Sequence, residues 1–205
     1  MYTNTLPENT QKILEKLKEV SFLKNFYLSG GTALTLQIGH RESMDLDFFS
    51  QKEFNPQELQ PGLEKIGQLN DLSMAVGTLN CFLEKTQLQF LYYPYNLLED
   101  KINWEGIYLS SVLDIACTKI ITISARGSKK DFIDMYFLLK EYNLPFLFQK
   151  LKEKYPKTDY NEIHLLKSLV YFRDAETQPS PKIHVEIDWK QVKEEIKQKV
   201  KDFKI

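Results

Sequence analysis

Asp45 and Asp47 stand one residue apart in the run Met44-Asp45-Leu46-Asp47-Phe48-Phe49. On an extended strand residues i and i+2 share a face, so both carboxylates project the same way, about 6.6 Å apart along the chain. Met44, Leu46 and Phe48 are then expected on the opposite face, toward a core. Two like charges so placed repel each other unless a hard cation neutralises them. Mg²⁺ takes one or two carboxylates and completes its shell with water and substrate phosphates. A bare D-x-D also suits a solvent-facing strand carrying two unremarkable acids. Upstream lies Ser29-Gly30-Gly31-Thr32, between a short apolar run and a helical stretch. Glycines there let the backbone approach an anion, and the first N–H groups of the helix point at it. Glycines at such a turn also serve structure alone.

The two signals gain meaning together. A phosphate-cradling turn, a connecting helix and D-x-D on the next strand make the layout of a phosphoryl-transfer site, where one part grips a triphosphate and the other holds the bridging metal. The connection carries His40, Arg41 and Ser43. Arg41 suits either phosphate or a surface ion pair, and His40 suits packing or capping better than catalysis. Further on, Lys119 and Arg126 are seven residues apart, on one helical stripe about 10.5 Å long. Two cations on a common face suit a triphosphate or an RNA backbone, and equally an exposed polar stripe. Asp131 and Asp134 are near neighbours on the following helix. Asp131 fits a helix-start acid answering Ser128, whereas Asp134, among Ile133, Met135 and Phe137, needs a cationic partner. Tyr136 reads as core.

The elements that position these residues follow from periodicity. Asn9 to Val20 predicts a first helix, Phe26 to Leu28 a strand, Thr32 to Ile38 a helix, Met44 to Phe49 a strand and Pro56 to Leu69 a helix. Two strands are predicted over Ser73 to Leu83 and Gln87 to Tyr93, joined by a turn at Glu84-Lys85-Thr86. Helices follow from Ser111 to Arg126 and Ser128 to Glu141, each opened by a Ser-x-x-Asp capping signal. Others are expected near Pro145 to Lys154, Tyr160 to Phe172 and Trp189 to Phe203, with Thr177-Gln178-Pro179-Ser180-Pro181 as a loop. The expectation is an α+β protein, a small mixed sheet flanked by helices over residues 1–108, with a helical half over 109–205 that completes the site.

Composition sets bounds. The 205 residues are 42% hydrophobic and 27% charged, ordinary for a water-soluble globular chain. No run reaches the roughly 18 apolar residues of a membrane helix. Met1 to Glu15 has no apolar core of a secretory signal, so the cytoplasm is expected, with no membrane partner. Cys81 and Cys117 lack partners at metal spacing and read as buried thiols. A net charge of −1 leaves nucleic acid only local basic surfaces to meet, such as Lys119 to Lys130 or Lys190 to Lys204.

Gly30-Gly31-Thr32-Ala33-Leu34, followed by Gly39-His40-Arg41-x-Ser43-x-Asp45-Leu46-Asp47-Phe48-Phe49, strongly resembles the AbiEii/AbiGii-type toxin family of polymerase-β-like nucleotidyltransferases. Lys119, Arg126 and Lys130-Asp131-Phe132-x-Asp134-x-Tyr136 resemble its later motifs, so the likeness spans about residues 25 to 140. It implies a polymerase-β-type fold and Mg²⁺, or Mn²⁺ in its place, held by Asp45 and Asp47. Lys119 and Asp134 would join these two in catalysis. Ser29, Gly30, Gly31, Thr32, Arg41, Ser43 and Arg126 would bind the nucleotide. The implied activity is nucleotidyl transfer from an NTP, within a bacterial toxin–antitoxin or phage-defence system. The acceptor would be RNA, with a tRNA end as one candidate, and the antitoxin a separately encoded protein. One departure stands out. Polymerase-β-type sites usually carry a third acid on a later strand, and Gln89 occupies that place here. An amide takes no proton at neutral pH, which keeps open a non-catalytic NTP- or RNA-binding module. Glu84 and Glu99 are candidate replacements. A small-molecule acceptor is the remaining alternative.

Overall fold

In the computed structural model, which describes residues 1–203, the chain forms two units. The first comprises residues 1–95 and 100–111; the second comprises residues 96–99 and the chain from Val112 on.

The first unit is built on a mixed seven-stranded sheet. Its strands are β1 (Tyr27–Ser29), β2 (Leu46–Ser50), β3 (Leu69–Ala75), β4 (Thr78–Leu83), β5 (Thr86–Tyr92), β6 (Ile102–Trp104) and β7 (Ile107–Leu109), in the order β3-β4-β5-β2-β1-β7-β6. β2 runs antiparallel to β1 and parallel to β5, and β1 runs parallel to β7. Helices α1 (Glu8–Lys18), α2 (Gly30–Ile38) and α3 (Gln60–Glu64) complete the unit. Register and burial explain one another. Leu28, Phe48, Phe90 and Leu79 are successive partners across four strands, and all four are buried. Phe48 stacks on Phe90 with ring centroids 5.2 Å apart. Ser29, Asp47, Gln89 and Asn80 form the adjacent row. Because side chains alternate with period two, the apolar row fixes the polar one on the opposite face, and a slip of one residue would exchange them.

Several expectations shift. The strand expected from Met44 begins at Leu46, and Met44 is 63% exposed rather than facing the core. Ser73 to Leu83 is not one strand but part of a hairpin, β3 and β4, turning at Val76-Gly77, where Gly77 has φ +65°. β3 is an exposed edge strand with a register shift between Asn70 and Ser73, so apolar alternation could not announce it. β6 and β7, three residues each around a Glu105-Gly106 turn, are too short to carry a period. The helix expected over Pro56 to Leu69 is a 3₁₀ turn at Pro56–Glu58 followed by α3, which stops at Glu64. Pro56 and Pro61 each remove an N–H donor, and Leu69 already belongs to β3.

The second unit is helical: α4 (Val112–Ala125), α5 (Lys129–Glu141), α6 (Leu144–Lys154), α7 (Glu162–Leu169), α8 (Arg173–Glu176) and α9 (Trp189–Lys201). Asn143, Asn161 and Asp188 cap α6, α7 and α9 through their side chains. Ser111 precedes α4, and Asp114, its expected capping-box partner, lies in the first turn of that helix. Asp114 is buried, accepts hydrogen bonds from the backbone N–H groups of Leu98 and Glu99, and pairs with Lys154 Nζ at 2.5 Å. It therefore ties the 96–99 segment to this unit. Among the described residues no helix is long and apolar enough to cross a membrane.

Candidate active site

The glycine turn and the two acids meet in the first unit. Ser29 ends β1 and pairs in register with Asp47, and its hydroxyl accepts a 2.9 Å hydrogen bond from Ser110. Gly30 opens α2 at φ +66°, a conformation that side-chain-bearing residues avoid. A Cβ at Gly30 would also collide with the carboxylate of Asp47, and one at Gly31 with the guanidinium of Arg41. Each glycine therefore leaves room for a named charged group. α2 is nine residues long, and its first N–H groups have no partner within the helix.

The approach to β2 is held from the side. Thr32, fully buried, donates its hydroxyl proton to the backbone carbonyl of Asp45 and accepts a hydrogen bond from the Ser43 hydroxyl at 2.8 Å. Thr35 donates to the carbonyl of Arg41 at 2.7 Å. Arg41 is not a surface cation. It is buried, with Nη1 on the carbonyl of Glu42 at 2.8 Å. Ser29, Gly30, Gly31, Thr32, Arg41, Ser43, Asp45 and Asp47 thus lie on one continuous stretch of contacts. His40 is buried.

Beside Asp47 on the other flank is Gln89, its partner in the parallel β2–β5 register. Gln89 donates through Nε2 to Asn80 Oδ1 at 2.8 Å. Glu84, a candidate substitute acid, instead sits in the β4–β5 turn and pairs with Lys16 at 2.8 Å. Among the described residues no group of three or more His, Cys, Asp or Glu side chains is placed to hold a metal ion. Within the first unit Glu84 therefore does not join Asp45 and Asp47.

The second unit holds the other predicted residues. Lys119, 4% exposed, places its ammonium 2.7 Å from Asp131 Oδ1 and 2.6 Å from Asp134 Oδ2. Arg126 reaches the same Asp131 through Nε at 3.0 Å and Nη2 at 3.3 Å, yet its side chain stays 58% exposed. Ser128 does not cap α5 through its side chain. Its hydroxyl donates to Asp131 Oδ2 at 2.5 Å. Burial would raise the Asp131 carboxyl, but Lys119 and Arg126 outweigh it and hold the group well below the usual carboxylate range. Asp131 is thus the hub of the cluster, not merely a helix-start acid. The sequence signal was there, because Ser128 and Asp131 follow Arg126 at a spacing that lets all three meet. Asp134 finds its cationic partner in Lys119.

Residues 12–97 match the family model of the nucleotidyl transferase AbiEii toxin of type IV toxin–antitoxin systems. A relative from Aquifex aeolicus, an uncharacterized protein, is 38% identical over 206 residues, covering 97% of each chain. The chain belongs to the AbiEii nucleotidyltransferase toxin family. Two solved structures share its fold. JHP933 of Helicobacter pylori has a TM-score of 0.56 at 20% identity, over 96% of this chain and 92% of that one. The nucleotidyltransferase toxin MenT4 of Mycobacterium tuberculosis has a TM-score of 0.57 at 11% identity, over 94% and 83%.

An AbiEii-family toxin is a nucleotidyltransferase that uses an NTP and has a separate antitoxin partner. The stretch matched to the family model includes the glycine turn, both acids and Gln89, whereas Lys119, Arg126, Asp131 and Asp134 lie beyond it. Divalent metals are general for such enzymes, and the residues here fit one. The Asp47 carboxylate lies against the glycine-cleared start of α2, and Asp45 stands just before β2, its backbone held by Thr32. That is an incomplete set which phosphate oxygens and water would finish, the habit of Mg²⁺. The two cysteines, as expected, are buried. Burial pushes the Cys81 thiol up to about 11 and the Cys117 thiol up to about 12, so neither offers a nucleophile.

Proposed function

We propose that this AbiEii-family toxin transfers a nucleotidyl group from an NTP to a hydroxyl of RNA, with Asp45 and Asp47 holding Mg²⁺. The observation that carries the proposal is the meeting of Asp47 with Gly30 at the opening of α2. It brings a carboxylate next to backbone N–H groups suited to phosphate. Gly30, Gly31 and Thr32 offer their N–H groups to the triphosphate. Ser29 lines the turn, while Thr32 and Ser43 fix the backbone at Asp45. Arg41, held against Gly31, adds fixed positive charge. When bound, the cation supplies the charge that draws the phosphates onto the two acids.

The acceptor oxygen forms a new bond to the α-phosphorus as the bond to the β-side bridging oxygen breaks. Pyrophosphate leaves with that electron pair, and the hydroxyl proton passes to solvent water. Gln89 takes no part in that proton transfer, since an amide has no basic atom at neutral pH. In the helical unit Lys119, Asp134 and Arg126 contribute to turnover as a group fixed by Asp131. The chain works in the cytoplasm on a nucleic-acid acceptor. The test is incubation with each radiolabelled NTP, Mg²⁺ and total bacterial RNA. Labelled RNA is expected from the native protein and none from Asp47→Asn, which keeps its fold. Equal labelling by Asp47→Asn, or no labelling with any NTP, overturns the proposal. Gln89 favours a second reading, an NTP-binding module without turnover, and that reading predicts NTP binding with no labelled product.

A further inference from the structure

A pocket of about 340 Å³ opens in the helical unit between the end of α4 and the outer side of α7. Arg126, His164, Lys167, Tyr171 and Asp174 line it. Its shape follows from local structure. α7 buries Leu165, Leu166 and Leu169, which turns His164, Lys167 and Tyr171, spaced by three and four residues, onto one outward stripe. The backbone N–H of Tyr171 bonds the Ser168 carbonyl at 3.1 Å, continuing the helical turn past Leu169. Across the pocket Gly127, at φ +51°, reverses the chain after α4, and the bonds from Arg126 to Asp131 fix the plane of its guanidinium.

We propose that this pocket holds one nucleotide unit of single-stranded RNA. The choice of ligand rests on the RNA-acceptor reading above; the recognition chemistry is the pocket's own. Tyr171 is 52% exposed and offers a ring face for a base, a contact that needs an unpaired, splayed base and so excludes a duplex. Lys167 and the exposed guanidinium of Arg126, whose charge Asp131 already balances, offer donors to a single phosphodiester, too few for a free triphosphate. Asp174, an acceptor, can take the hydrogen bond of a ribose 2′-hydroxyl, the group that marks RNA. His164 adds a ring donor. Pockets that hold small ligands span ~300–1,000 Å³, so this one has room for a single unit.

The test uses the full chain and a short fluorescent single-stranded RNA, read by anisotropy in EDTA without NTP across a salt series. Tyr171→Ala should weaken binding on the order of tenfold, the scale of one lost base stack, while Tyr171→Phe binds as the native protein does. Lys167→Gln should lower the slope of log affinity against log salt by about 0.7, one phosphate contact. In the transfer assay both Tyr171→Ala and Lys167→Gln should raise KM for RNA and leave KM for NTP unchanged. Native affinity and slope in both variants overturn the proposal, as does displacement of the RNA by NTP or by duplex RNA at equal concentration. If the native protein transfers nothing but the pocket variants lose RNA affinity, the transfer reading falls and the pocket stands. If transfer occurs and the variants behave as native, the reverse holds.

Discussion

Asp47 and Gln89 are register partners across the parallel β2–β5 pair, so the acid proposed to hold metal has an amide as its neighbour on the next strand. The amide is fixed, because Gln89 donates to Asn80 one strand further on. The proposed site then has two acids, and restoring a third charge tests whether that limits it.

Gln89→Asp places a carboxylate on the same sheet face beside Asp47. It should lower the Mg²⁺ concentration needed for half-maximal nucleotide transfer and raise the rate above that of the native protein. An Mg²⁺ titration of transfer, with calorimetry of metal binding to the NTP complex, reads both. A mutant with no tighter binding and no faster turnover would refute the role given to this position.

Gly30→Ala meets two obstacles at once. An alanine at φ +66° pays the left-handed penalty of roughly 1–2 kcal/mol, and its methyl displaces the Asp47 carboxylate. Loss of transfer and a lower urea midpoint are both expected. Normal activity in Gly30→Ala would mean that Asp47 is not where the metal must sit.

Lys119 is better read first by stability. Removing its ammonium takes from buried Asp131 and Asp134 the cation they share, while Arg126 stays on Asp131, and breaking a buried pair in this way costs on the order of 3–5 kcal/mol. Lys119→Met should therefore unfold at markedly lower urea. Lys119→Met with Asp134→Asn restores a one-to-one balance and should recover part of the loss. If the double variant is as stable as native yet inactive, the lysine or the aspartate acts in transfer beyond holding the cluster. Equal losses in the single and double variants would show that charge balance is not what the cluster supplies.

Acid sensitivity follows from Asp131. Its carboxyl is depressed in the folded chain below its ordinary value of 3.8. The stability it contributes is therefore fully present above that value and is lost as pH falls through the folded value. Native protein should lose stability steeply below about pH 4. Asp131→Asn should be less stable at neutral pH and show a flatter acid limb in urea unfolding. An unchanged acid limb would mean that other carboxylates dominate.

The sequence alone determined the local chemistry. Ser29-Gly30-Gly31-Thr32 at a helix start and Asp45-Leu46-Asp47 at the start of a strand are patterns written within a few residues, and the family resemblance pointed to Gln89 in the place of a third acid, which the β2–β5 register then set beside Asp47. Long helices were legible for the same reason, since α4, α5 and α6 carry their periodicity over eleven residues or more. Tertiary structure decided what depends on distant partners. The exposed β3 edge and the three-residue β6 and β7 carry too few apolar positions to reveal a strand, and they exist because a neighbour offers them hydrogen bonds. Arg41 was open between phosphate and solvent until the fold buried it against Gly31. Asp131 looked like a helix-start acid until α4 and α5 packed together. Only then did Lys119, Arg126 and Ser128 reach one carboxylate, because a buried charge must find its compensation wherever the chain brings it.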